Sequence, residues 1–458
     1  MSELNRRDFL TLTAAGIAAA KAGLAEQTAR TGKPIRLGFI GIGGRGSYHL
    51  DCALGVEGVE VVAVCDIDDK ALYRAKRWVE EAGQPTPRLY GDSKTAYKEL
   101  CEKETLDCII CCTPWEYHAP ICVAGMKNDK NVVSEVPIVI TLEEAWEVVE
   151  THEKTGKWAT LGLEGYGNLT LMNMVRKGVF GEVLHVENGY VHDLRTVQYS
   201  PTEEPWRLEH SARRNGNQYP DHPMQRILRL LDINHGDRFD YLVSMSTKAV
   251  MLNRFAALKY GDGTPNATRK FAQGDVNVTL LHTAGGKMVT LNFDTDTPHP
   301  REFLRLQGTK GVYMNPNSVF NPAPQEPGQP RSPISNGMIY IDGRTPQEDE
   351  WESADPYFEE YRHPFLKTFV PKPRKQAAAL RGHGGGGSTT PVHWERLIAA
   401  LRAGRMPDWD VYDSVTSSAI SPLTEKSVAG GSIPVQCPDF TKGKWKTAKP
   451  FEIEVPVL

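Results

Sequence analysis

Along the first third of the chain the apolar residues gather in short unbroken runs, and polar residues fall between them with helical spacing. Ile35–Ile40 is one such run, and residues 61–65, 108–112 and Asn131–Ser134 repeat it. A strand apolar on both faces is one buried in a parallel sheet with helices above and below. The stretch from Ser47 and the run Leu142–Thr155 supply such helices. Farther on the pattern turns to alternation. Residues 183–187 and 276–281 set apolar and polar side chains in turn, as antiparallel strands do when one face is covered. The predicted fold is α/β plus α+β. A doubly wound Rossmann unit spans 34–160, and a mostly antiparallel sheet domain with helices spans 161–458, C-terminal extension included. One face of the second sheet is expected to cover the cleft of the first, and the other is a candidate homo-oligomer surface.

Composition then narrows the class of function. In 458 residues each unit can bury a core of its own. A formal net charge of −4, with no basic run interleaved with aromatics, argues against a nucleic-acid partner. Of eight cysteines, Cys108 and Cys111 form a CxxC. That pair lies in a strand whose alternate side chains face opposite ways, and no second CxxC or His pair completes a zinc site, so no metal is expected. The N-terminus is more specific. Asn5-Arg6-Arg7-Asp8-Phe9-Leu10 precedes an apolar run over 12–20 and the small residues Gly23 and Ala25. This looks like a twin-arginine signal over 1–25, which implies export to the periplasm or beyond. No later stretch reaches the ~18 apolar residues of a spanning helix, so no membrane insertion of the mature chain is expected.

The first strand runs straight into Gly41-Ile42-Gly43-Gly44-Arg45-Gly46, and a helix follows. GxGxxG between strand and helix is a dinucleotide site: Gly41 for the tight turn, Gly43 for close backbone approach to a pyrophosphate, Gly46 for packing of helix on strand. The second strand ends in Asp66, spaced to accept from a ribose 2′-hydroxyl and to repel a 2′-phosphate, which favours NAD over NADP. Two later strands end in Thr113-Pro114-Trp115-Glu116-Tyr117-His118 and Glu135-Val136-Pro137. Ligands of doubly wound sheets bind at strand C-terminal ends. Trp115, His118, Glu135 and Val136, with Arg45 of the glycine turn, are therefore candidate cofactor contacts.

These two turns resemble the TPxxxH and EKP turns of the Gfo/Idh/MocA oxidoreductases. Val136 stands where that superfamily carries a lysine, and a valine cannot shuttle a proton. The segment Ser134-Glu135-Val136-Pro137 is instead similar to the family 109 glycosyl hydrolases, NAD-dependent α-N-acetylgalactosaminidases. Residues 173–178, 189–195, 206–207, 214–217, 237–245, 307–311, 382–385 and 410–413 also match. The resemblance implies a redox-neutral hydrolysis: oxidation at C3 of the sugar, loss of the C2 proton, elimination of the aglycone, addition of water and return of the hydride. A pair of flanking carboxylates is not required.

The family's Tyr-Pro-Thr-His segment reads here Tyr219-Pro220-Asp221-His222. By that resemblance His222 takes the C3 hydroxyl proton, Tyr219 or Tyr190 serves the C2 side, and Arg207 contacts the sugar. These four are the candidate substrate contacts for a small glycoside or sugar. Departures from the family include Pro223-Met224-Gln225 in place of a glycine-rich turn, Gly165 in place of an asparagine and Phe303 in place of a tyrosine. A lost hydroxyl is a lost sugar hydrogen bond, and such bonds set specificity. A periplasmic NAD-dependent sugar or cyclitol dehydrogenase is the alternative, and a non-catalytic sugar-binding protein a third. A dehydrogenase accumulates free NADH with product, a glycosidase turns over with none, and a binding protein retains no dinucleotide.

Overall fold

The structure is a computed structural model that describes residues 32–161, 168–298, 303–315, 336–347, 350–368 and 390–453. Residues 162–167, 299–302 and 316–335, the glycine run Gly384–Gly387 and the signal segment lie outside them. Among the described residues no helix is long and apolar enough to cross a membrane.

The apolar runs form one parallel sheet: β1 (Ile35–Ile40), β2 (Val59–Cys65), β3 (Arg88–Tyr90), β4 (Cys108–Cys111), β5 (Asn131–Ser134) and β6 (Ala159–Leu161). Their order is β3-β2-β1-β4-β5-β6, parallel throughout. Strand order reverses between β1 and β4, and the two connections leave on opposite faces there, opening a crevice beyond the strand ends. β4 stops at Cys111, one residue before the apolar run ends, because Cys112 already turns toward the loop that borders this crevice. Cys108 and Cys111 are fully buried, and burial raises both thiols, Cys111 to about 11. The helix Leu142–Thr155 forms where expected, with a Thr141–Glu144 capping box and Gly156 in the left-handed region at its end.

The second sheet has nine strands: β7 (Val183–Val191), β8 (Phe239–Ser246), β9 (Asn277–Thr283), β10 (Met288–Asp294), β11 (Leu304–Gly308), β12 (Gly311–Asn315), β13 (Met338–Ile341), β14 (Glu352–Ser353) and β15 (Val435–Gln436). Their order is β14-β13-β12-β11-β7-β10-β9-β8-β15, antiparallel except for β7 on β10. β7 continues past the alternation seen at 183–187, and this extension delivers Tyr190 to the cleft.

One element joins the two sheets. The helix Val411–Ala429 offers a row of serines: Ser414 and Ser418 accept the N–H groups of Leu161 and Ile138 from the Rossmann side, and Ser427 accepts that of Ser244 from β8. Serine is small enough for close approach, and its hydroxyl satisfies backbone donors that burial would otherwise strand. Farther along, Trp394 of the helix Thr390–Arg402 is fully buried and stacks on Phe39 of β1 at 6.2 Å. Both sheets thus share one core.

Candidate functional site

A cleft of about 1210 Å³ runs from the glycine turn to the inner end of the antiparallel sheet. At its cofactor end the turn after β1 is shaped by three glycines with different tasks. Gly41 has φ +86°, and a Cβ there would stand 2.6 Å from the Cys112 carbonyl oxygen, so the turns after β1 and β4 touch backbone to backbone. A Cβ on Gly46 would fall 1.9 Å from the Gly41 carbonyl oxygen, which presses the helix Gly44–Leu54 onto the turn. Gly43 has nothing within 4 Å of its Cβ direction, and it lines the cleft. The space left open is that needed for a bulky anion to reach backbone N–H groups at a helix start. Gly46 itself does not line the cleft.

Asp66 closes this end. Its carboxylate accepts the N–H of Ile42 at 2.5 Å and that of Asp68 at 2.9 Å, so the ribose-binding candidate also fixes the glycine turn. Each oxygen keeps a further lone pair for a hydroxyl. These residues fit a dinucleotide: a glycine cradle that a Cβ would disturb, and an acid at the end of β2.

The two turns in mid-cleft are held rigid by their own polar groups. Glu135 takes Arg45 Nε at 2.8 Å and His49 Nε2 at 2.6 Å. Burial opposes its charge, but Arg45 and His49 outweigh this and hold the carboxyl well below the usual range. His118 is 1 % exposed, with Nδ1 2.6 Å from the Pro137 carbonyl and Nε2 2.7 Å from that of Thr113. Burial lowers its pKa. Glu135, His118 and Arg45 all border the cleft, yet their polar atoms brace its wall. Val136 presents only a buried apolar side chain there.

The opposite end of the cleft is aromatic. The rings of Tyr190, Tyr219 and His222 form a triangle with centroid separations of 4.7, 4.9 and 5.0 Å. Tyr190 comes from the end of β7, Tyr219 from the loop before the helix Asp221–Leu231, and His222 from that helix's first turn. Trp115 stacks on Tyr219 at 5.4 Å and meets Trp206 edge-on at 4.9 Å. Into this cage projects Arg207, with its guanidinium 4.6 Å from the Tyr219 ring centre, 5.1 Å from Trp115 and 5.2 Å from Trp206. Its Nε bonds Glu204, and no other side-chain hydrogen bond of Arg207 occurs among the described residues. The two terminal nitrogens are left for ligand oxygens, on a cation gripped by π faces. Burial pushes the Tyr219 phenol well above its usual value. Asp221 is 0 % exposed and accepts Ser418 Oγ at 2.6 Å; burial raises its carboxyl to about 6.

Thus Tyr190, Arg207, Tyr219, His222 and Trp115 come together, although they lie far apart in sequence. Sequence reasoning missed Glu204, Trp206 and the 201–205 segment that walls the cleft, and also His49 and His192. The Trp206-Arg207 pair was visible as a motif, but no periodicity signals that a loop aromatic stacks on a distant one. Phe303, just before β11, does not belong to the described lining. Pro223, Met224 and Gln225 sit inside the helix Asp221–Leu231, where Met224 is core. Elsewhere His235, Asp410 and Asp413 bring ligand-type atoms within 4.8 Å of one another. There His235 bonds Asp413, and Asp410 caps the helix start at Asp413 N, so the cluster serves a junction.

Comparison with known proteins gives two matches along the chain. Residues 35–163 match the oxidoreductase family model with an NAD-binding Rossmann fold, and residues 166–447 match the C-terminal domain of glycosyl hydrolase 109. A glycosyl hydrolase family 109 protein of Solibacter usitatus is 36 % identical over 98 % of this chain and 100 % of its own. An alpha-N-acetylgalactosaminidase of Bacteroides fragilis is 36 % identical over 90 % of this chain and 93 % of its own. Among solved structures, myo-inositol dehydrogenase from Lactobacillus casei, in complex with NAD(H) and myo-inositol, shares the fold at TM-score 0.58 and 16 % identity, over 89 % of this chain and 97 % of that one.

Proposed function

This chain belongs to glycosyl hydrolase family 109, and from that premise we propose that its cleft holds NAD permanently and cleaves a glycoside without net redox change, an α-N-acetylgalactosaminide being the first candidate. The substrate rests on the Bacteroides fragilis relative's name. NAD as the cofactor rests on the fit of Gly41, Gly43 and Asp66. When bound, a nicotinamide supplies a two-electron acceptor and donor for one sugar carbon.

The protein's own groups do the rest. Arg207 binds sugar oxygens through its terminal nitrogens, and the Trp115 and Trp206 faces exclude water around it. His222, at a helix start, takes the proton of the C3 hydroxyl. A C3 ketone acidifies the neighbouring C2–H, and a phenol of the same ring triangle takes that proton. Elimination at C1 and addition of water follow, and the proton movements reverse. The observation that carries this reading is the ring triangle of Tyr190, Tyr219 and His222, which lines the same cleft as Val136. Acid and base groups are present, and the lysine of a simple dehydrogenase is not.

The N-terminal twin-arginine pattern supports export of the folded, loaded protein to the periplasm or outside. Tyr241, Met245, Val278, Leu280 and Met288 on β8, β9 and β10 are exposed, which supports a dimer formed through this sheet. The test of function is direct. Purified protein is denatured to release and identify any dinucleotide, and native protein is assayed on p-nitrophenyl α- and β-glycosides with no NAD added. Nitrophenol release with no free NADH is expected. Sugar oxidation that accumulates NADH would replace this reading with the dehydrogenase.

A further inference from the structure

Two phenols stand at the sugar end, and their surroundings differ in a way that assigns a role to a histidine outside the cleft. Tyr219 stacks on Trp115, with the Arg207 guanidinium close to both rings, and burial holds its proton on. Tyr190 instead has its hydroxyl 2.8 Å from His192 Nε2. The two residues are i and i+2 where β7 ends, and the His192 N–H is fixed by the Asp294 carbonyl at 2.9 Å. His192 does not line the main cleft. With Tyr190, His222 and Arg226 it borders a second, much smaller cavity. Tyr190 and His222 border both spaces, and the Tyr190 hydroxyl bonds His192, which borders only the smaller one.

We propose that His192 is the positioning residue that makes Tyr190, and not Tyr219, the base at C2, by taking the phenolic proton as the phenol takes the substrate's. This rests on the oxidation and elimination reading above. With C3 at the ketone level, the C2–H bond breaks and its electron pair moves into the enolate. The proton goes to Tyr190 Oη, whose own O–H bond breaks as that proton passes to His192 Nε2. The products are an enolate and an imidazolium, so charge balances. When water adds, the same two transfers run backwards. A phenol alone is a poor base near neutrality, and an imidazole titrates there. Among the described residues the charged and titratable groups around His192 include Tyr190 and Asp193 on its own segment, His222 and Arg226 from the helix Asp221–Leu231, and Asp294 at the end of β10.

The test uses p-nitrophenyl α-N-acetylgalactosaminide in D2O with full-length protein carrying its bound dinucleotide. Wild-type enzyme should incorporate deuterium at C2, and absence of exchange would overturn the parent reading together with this one. His192→Gln keeps hydrogen-bonding capacity but cannot accept a proton. It should lower both exchange and kcat by about 10²-fold, the scale of one general-base contribution. KM and bound dinucleotide should be retained, and the acid limb of the pH–rate profile should flatten. In a Tyr190→Phe background the same change should add less than about threefold, because the two residues act as one unit. Wild-type exchange that survives undiminished in His192→Gln, or full additivity with Tyr190→Phe, would overturn the relay alone.

Discussion

The two ends of the cleft are built by different means. The cofactor end is made of backbone from one contiguous stretch, Gly41 to Gly46, tied to Asp66 by a single carboxylate. The sugar end is made of side chains from four separate places in the chain, held by ring stacking and one caged cation. Glycine geometry tolerates almost no change, because the atoms in contact are main-chain atoms that cannot move aside. A side-chain cage loses function residue by residue while the frame survives.

That contrast can be broken at its strongest point. Gly46→Val puts a side chain where Gly41 O already stands, so helix and turn must part. The expected result is complete loss of bound dinucleotide, activity down by more than about 10³-fold, and destabilisation of about 1–3 kcal/mol from overpacking. Dinucleotide release from purified protein and a thermal melt read both. Arg207→Ala should do the opposite. It should cost about 10²-fold in kcat/KM, through loss of paired hydrogen bonds from a charged donor, while the bound dinucleotide stays stoichiometric. Loss of the cofactor in that variant would show that the two ends are not separable.

Smaller effects sharpen the boundary. Asp66→Asn should weaken NAD by about tenfold, the worth of one charge-assisted hydrogen bond, and narrow the preference over NADP in a titration with both. Asp221→Asn tests the frame alone. Burial raises this carboxyl from 3.8 to about 6 in the folded chain. Folding therefore favours its protonated form: the contribution is fully present below about pH 4 and is lost as pH rises through about 6. The substitution should remove that slope and raise stability at neutral pH by about 1–2 kcal/mol, seen as a melting temperature that no longer falls between acid and neutral buffer. An unchanged pH slope would mean that the Asp221 proton has no part in it.

The sequence by itself determined four of the six Rossmann strands and the helices after Ser47 and from Leu142, but not the short strands β3 and β6. Strands β1 and β5 and the helix Leu142–Thr155 stand at their expected bounds, since buried parallel strands need continuous apolar runs and a capping box marks a helix start. It also determined the turn role of Gly41 and the packing role of Gly46, because a tight turn leaves its requirement in the residues themselves. Tertiary structure alone decided three things. Alternation over 183–187 could not show how far β7 runs, as pairing with β10 and β11 carries it on to Val191 and brings Tyr190 inward. It could not show that Glu135 and His118 turn their polar atoms into the wall, since which partner a charged group meets depends on elements distant in sequence. Nor could it show His192 behind Tyr190 or Trp206 beside Trp115. Local sequence encodes backbone conformation and burial, whereas hydrogen bonds and ring contacts between segments exist only once the chain has closed on itself.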